Sequence, residues 1–117
     1  MVAATATLLG EALAFGRKGG LDCATMLDVV TQSAVASPLI TYKRVMIINE
    51  DYRPAASLSL LMKDLDLLLA EGRDSHCPLP MSALVRQIYE QGFVKGLDGK
   101  DFFVLVQDAA RNSGLAG

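Results

Sequence analysis

The stretch 57-SLSLLMKDLDLLLAEG-72, Ser57 to Gly72, decides how the chain is read. A leucine-rich helix places Lys63 and Asp64 in its middle, with further leucines one turn to either side. On a helical wheel, Leu58, Leu61, Leu65, Leu68 and Gly72 fall on one side and form the expected core stripe. Leu60 and Leu67 fall on the other side. They flank Lys63 at the i−3 and i+4 positions, with Ala70 a further turn along. The helix therefore carries two apolar faces, and Lys63 stands in the second. Either Lys63 lays its stem on Leu60 and Leu67 with the ammonium in water, or that face lines a cleft where the lysine meets a polar or anionic ligand. In the second case Asp64 and Asp66 are placed to orient the ammonium by charge pairing. Periodicity does not choose between the two.

Outward from this helix the chain reads as helical throughout. Residues 2–18 carry Ala6, Leu9, Leu13 and Ala14 at helical spacing, stopped by Gly19 and Gly20. A short helix follows Asp22 over CATMLDVVTQ (23–32). Ser37–Pro38 is a capping hydroxyl followed by proline at the first helical position, and it opens a third helix over 38–49. Pro54 breaks the next loop, and Ser57 caps the leucine helix, expected to run to about Arg73. The prolines of HCPLP (76–80) exclude a helix there. Pro80 opens a fifth helix (80–95), stopped by Gly96, and a sixth is expected from Asp101 to Ser113. The expected fold class is thus all-α: one domain of about six helices over residues 1–117, with no internal repeat.

The bulk composition excludes several classes. Hydrophobic residues make up 51% of the 117 and charged residues 21%, which fits a packed core rather than disorder. The formal net charge is −2 and no basic segment stands out, so nucleic acid is not an expected partner. No apolar run approaches the roughly 20 residues of a bilayer span, and the opening residues lack a basic start and contain Glu11, unlike a secretory signal. Cys23 and Cys77 have neither metal-ligand nor redox spacing, and are read as two buried thiols of a cytoplasmic protein. His76 stands alone in a proline loop, and Ser33 and Ser37 have no histidine beside them to make a nucleophile. GRKGG (16–20) follows no strand, so it is a helix stop rather than a phosphate cradle. No metal site and no catalytic constellation is expected. The first helix has no N-cap residue and begins in mid-pattern at Met1, which reads as part of a longer protein.

These residues resemble a family, in the family's own order: EALAFGRKGGLD (11–22), Ser37 heading the third helix, Pro54 before the leucine helix, LMKDLDLLL (61–69), PLPMSALVRQIYEQG (78–92) and GLDGKD (96–101). The chain is similar over its whole length to the C-terminal all-helical domain of the β-hydroxyacid dehydrogenases, the 3-hydroxyisobutyrate dehydrogenase and tartronate semialdehyde reductase group, with a fold like the C-terminal domain of 6-phosphogluconate dehydrogenase. The resemblance implies an N-terminal Rossmann domain outside this chain, and a catalytic lysine about one turn upstream of Met1. No catalytic residue is then expected here, and the chain alone is expected to be inactive. The implied reaction is hydride transfer between C3 of a small hydroxyacid substrate and NAD or NADP. This chain alone is expected to bind neither cofactor. By the same resemblance, Lys63 is the cofactor contact, Asp64 its orienting neighbour, and the assembly a dimer or higher. Ala55 and Ala56 stand where the family usually has glycine and phenylalanine, and Phe103 and Val104 where it often has serine and alanine. The alternative is a free-standing helical interaction or dimerisation module without chemistry.

Overall fold

A computed structural model describes residues 1–116. Six helices follow one another: α1 (Val2–Lys18), α2 (Cys23–Val30), α3 (Pro38–Asn49), α4 (Leu58–Asp74), α5 (Pro80–Val94) and α6 (Val104–Asn112). The all-α expectation holds. The local signals act as read: Asp22, Ser37 and Ser57 each accept a hydrogen bond from the backbone N–H three residues on, at 3.0, 3.2 and 3.2 Å. Each satisfies a helix-start donor that would otherwise be left unpaired. α2 ends two residues earlier than expected because Gln32 and Ser33 donate to Val29 and Val30 in a tighter turn.

Two helix pairs organise the core. α1 lies along α6, and α4 lies along α5. The α1–α6 approach is close enough that a Cβ on Gly10 would meet the Leu105 carbonyl at 3.1 Å and the Val106 Cα at 3.2 Å. Ala6, Leu9 and Leu13 of α1, Leu27 of α2, Ile40 and Ile47 of α3, and Val104 and Leu105 of α6 form one buried cluster with Leu58, Leu61 and Leu65 of α4. Tyr89 is fully buried in α5, and its hydroxyl donates to the Ala3 carbonyl at 2.9 Å, tying α5 to the start of α1. Burial pushes the Tyr89 phenol well above its ordinary range.

Three expectations are corrected. In α4, Leu58, Leu61, Leu65 and Gly72 are buried, but Leu68 is 45% exposed and Met62 takes the buried place beside the stripe. Because α4 packs mainly on α5, its buried stripe turns toward Met62 and away from Leu68. Cys77 is exposed and Cys23 only half-buried, so the two are not a pair of core thiols. The sixth helix starts at Val104, not Asp101.

Asp101 has a different role, which the sequence reading missed. Its carboxylate is fully buried and forms a 2.8 Å ion pair with the Lys43 ammonium of α3. The same Oδ2 accepts from the Ala55 N–H at 3.1 Å and the Ala56 N–H at 3.4 Å, and Oδ1 accepts from Phe103 N–H at 2.9 Å. Backbone bonds from Asp101 N–H to Tyr52, Phe102 N–H to Ala56 and Leu58 N–H to Lys100 bind the same two segments together. The tight turn of Asp101–Phe103 delays the α-helix until Val104. Phe103 and Val104 are fully buried, so these departures from the family pattern fill the core.

Removing one partner of a buried, hydrogen-bonded pair leaves a charge without compensation. Asp101→Ala is expected to lower unfolding free energy by about 3–5 kcal/mol, measured by denaturant titration. On α4, Leu65→Ala should cost about 2–5 kcal/mol and Leu68→Ala no more than about 0.5 kcal/mol. Equal losses at Leu65 and Leu68 would contradict the orientation of α4.

Candidate functional site

Lys63 projects from the middle of α4 on its exposed side, between Leu60 and Leu67, which are 47% and 62% exposed. Ser57 fixes the helix start through Leu60 N–H, and the Leu58–Leu61–Leu65 stripe fixes its rotation. The direction of Lys63 is therefore set by the packing on the opposite face. Together with Ser59, Met62, Leu67 and Phe93, it lines an open groove of ≈ 370 Å³ between α4 and α5.

The charges around Lys63 are arranged differently from the sequence expectation. Asp66 lies in the same groove but pairs with Arg86 of α5 at 2.7 Å, and Arg86 also reaches Glu90 at 3.6 Å. The hydrogen bond to Asp66 pushes the Arg86 guanidinium further up. Lys63 has no ion-pair partner among the described residues. Asp64 is exposed and not among the groove-lining residues. The structure thus sets Lys63 beside Leu67, Phe93 and a neutralised Asp66–Arg86 pair, and leaves Asp64 outside.

Chemically, the groove offers one free ammonium and apolar surface from Leu67 and the half-exposed Phe93. Such a surface fits one side of a flat, partly polar group, with the ammonium donating hydrogen bonds to its oxygen atoms. Among the described residues no glycine-rich phosphate loop follows a strand to hold a pyrophosphate. Among the described residues, no group of three or more His, Cys, Asp or Glu side chains could hold a metal ion, and no helix is long and apolar enough to cross a membrane. His76 is exposed in its loop with φ of 56°. A larger cleft of ≈ 530 Å³ between α1, α5 and α6 contains Asp108, whose carboxylate is already bonded to Lys95 at 2.9 and 3.0 Å.

Comparison with known proteins shows the family. Residues 1–108 match the family model described as NAD-binding of NADP-dependent 3-hydroxyisobutyrate dehydrogenase. The chain is 34% identical to L-threonate dehydrogenase of Cupriavidus necator, over 78% of this chain and 31% of that protein. It is 32% identical to 2-(hydroxymethyl)glutarate dehydrogenase of Eubacterium barkeri, over 92% of this chain and 36% of that one. In fold it matches a crystal structure of 3-hydroxyisobutyrate dehydrogenase from Salmonella typhimurium with a TM-score of 0.83 at 22% identity, covering 91% of this chain and 37% of that chain. The chain thus spans about a third of the length of these proteins. With six helices in the same arrangement and the match running nearly end to end, the chain belongs to the 3-hydroxyisobutyrate dehydrogenase group of the β-hydroxyacid dehydrogenases, as a helical domain of that family.

Proposed function

We propose that the chain is the helical half of a two-domain NAD(P)-dependent 3-hydroxyacid oxidoreductase, and that its α4–α5 groove faces a Rossmann domain supplied by the rest of the parent protein. The observation that carries this reading is Lys63. An unpaired lysine set between exposed Leu60 and Leu67, and next to Phe93, is the side of the helix that a second domain and a cofactor would cover. A length of about one third of the relatives supports a missing partner domain.

When bound, the dinucleotide accepts or delivers the hydride. Within this chain, Lys63 would hold the nicotinamide half, its ammonium donating charge-assisted hydrogen bonds. Leu60 and Leu67 exclude water from that side, and the Asp66–Arg86 pair holds α4 against α5. Asp64 takes a lesser role, orienting polar groups at the edge of the groove from outside its lining. Proton transfer at the hydroxyl needs a base within hydrogen-bond reach; the groove's one carboxylate, Asp66, is engaged by Arg86, and that step is assigned to the other domain. The isolated chain is therefore inactive and does not bind the cofactor by itself. The choice of NAD or NADP is likewise made by the missing domain, and the substrate is a small hydroxyacid.

The fragment is expected to be folded and catalytically silent, and dehydrogenase turnover by the pure chain would contradict this. In the full-length parent, Lys63→Ala removes a charge-assisted contact of about 1.5–3 kcal/mol. That lowers kcat/KM roughly 10- to 150-fold with an unchanged unfolding midpoint. Normal kinetics in that variant would leave Lys63 as a solvated side chain and favour a non-catalytic helical module. Exposed Leu8 and Phe15 on α1 and Leu84 on α5 also lead us to expect that the chain self-associates, as a dimer. A monomeric mass by light scattering across a wide concentration range would contradict that.

A further inference from the structure

A cavity of ≈ 290 Å³ opens where the C-terminal end of α1 meets the end of α3 and the middle of α6. Part of its wall is apolar, from Leu13, Ile47 and Val106, all buried. The rest is polar, and two of its polar side chains, Tyr52 and Gln107, are only 6% and 9% exposed. The volume lies at the small end of the range for small-molecule sites. No lining residue is shared with the Lys63 groove.

Hydrogen bonding leaves this wall incomplete. Buried polar side chains ordinarily find a partner within the protein or in ordered water. The Tyr52 hydroxyl and the Gln107 carboxamide have none among the described residues. No fully enclosed side-chain N or O atom there lacks a partner, so both groups reach the open space of the cavity. Burial and then the nearby Glu50 carboxylate push the Tyr52 phenol up, so the hydroxyl keeps its proton and can both donate and accept. The Gln107 carboxamide adds one acceptor oxygen and two donors.

Charge selects what these two groups can hold. Glu50 ends α3 at a φ of 52°, in the left-handed conformation that helix ends usually give to glycine. Its exposed carboxylate lines the cavity and makes no ion pair or hydrogen bond among the described residues. Asp22 lines it too, with its carboxylate accepting from Thr25. The one cation in the wall, Arg17, donates to the Ala116 carbonyl at 2.8 Å. Two carboxylates stand against one guanidinium, so the wall attracts a positive ligand. An ammonium would gain charge-assisted bonds from Glu50, and an oxygen on the same molecule would meet Gln107 and Tyr52.

We propose that this cavity binds a small primary amine carrying a hydroxyl or amide group, with its ammonium on Glu50 and its polar group on Gln107 and Tyr52. The proposal goes beyond the dehydrogenase reading and depends on neither Lys63 nor a cofactor. Its test uses the 117-residue chain itself.

The ¹⁵N-labelled chain is titrated at neutral pH with 4-aminobutanol, with the neutral butanediol of the same length, with butylamine and with 4-hydroxybutanoate, following the backbone amides. The expected result is saturable shifts centred on Cys23, Glu50, Tyr52 and Gln107 with 4-aminobutanol. Butanediol should bind about tenfold more weakly, the factor expected when a charge-assisted bond becomes a neutral one. Butylamine should also lose about tenfold, because Gln107 and Tyr52 then stay unpaired. Glu50→Gln should bring 4-aminobutanol down to the level of the diol. Gln107→Leu breaks no side-chain hydrogen bond among the described residues; it should bring 4-aminobutanol toward the level of butylamine and leave butylamine unchanged. It decides the matter if Glu50→Gln does not fold. Equal binding of amine and diol, 4-hydroxybutanoate binding as tightly as 4-aminobutanol, shifts centred on Lys63 and Arg86, absence of saturable shifts, or unimpaired binding by either variant would each overturn the proposal.

Discussion

The Lys43–Asp101 pair is the constraint on which the arrangement of this domain depends. Three segments distant in sequence meet at one carboxylate: α3 through the lysine, the loop before α4 through the N–H groups of Ala55 and Ala56, and the turn into α6 through Phe103. An aspartate with no exposure is stable only when its charge and its lone pairs are met in full, so the three segments have little freedom to move independently. The backbone bonds around it extend the same tie, and they set where Ser57 begins the leucine helix.

From that fixed start the rest of α4 follows. The buried stripe of Leu58, Leu61 and Leu65 engages the core, Met62 turns in against α5, and Lys63 is left on the outer side. The electrostatic pattern on that side isolates the lysine: Asp66, the nearer carboxylate on the groove face, is taken by Arg86. A long cation with no ion-pair partner among the described residues adds little to stability, because isolated surface charges contribute little. In the proposed function its position beside Leu60, Leu67 and Phe93 belongs to a surface that a second domain covers.

Much of this was legible in the residues. The helix starts at Asp22, Ser37–Pro38 and Ser57 could be read because a capping hydroxyl or carboxylate acts on its own next turn, a local effect that sequence spacing records. The stripe of α4 could be read to within one residue; Leu68 was misplaced because the wheel gives a face, whereas the burial depends on which neighbour lies against it. Lys63 could be singled out from its spacing among leucines. Asp101 was read as a helix start, since an aspartate before an apolar run looks like a cap, and nothing within a few residues marks its partner on α3. The absence of an ion-pair partner for Lys63 among the described residues was likewise not readable, because Asp66 stands at the i+3 pairing position in sequence while its actual partner, Arg86, lies on the next helix.

The most direct test of the account is a crystal structure of the full-length parent with its nicotinamide dinucleotide bound. The account predicts the Lys63 ammonium within hydrogen-bond reach of the nicotinamide half, with Leu60 and Leu67 buried against the dinucleotide-binding domain. A dinucleotide domain docked on another face, with Lys63 left in bulk water, would contradict it.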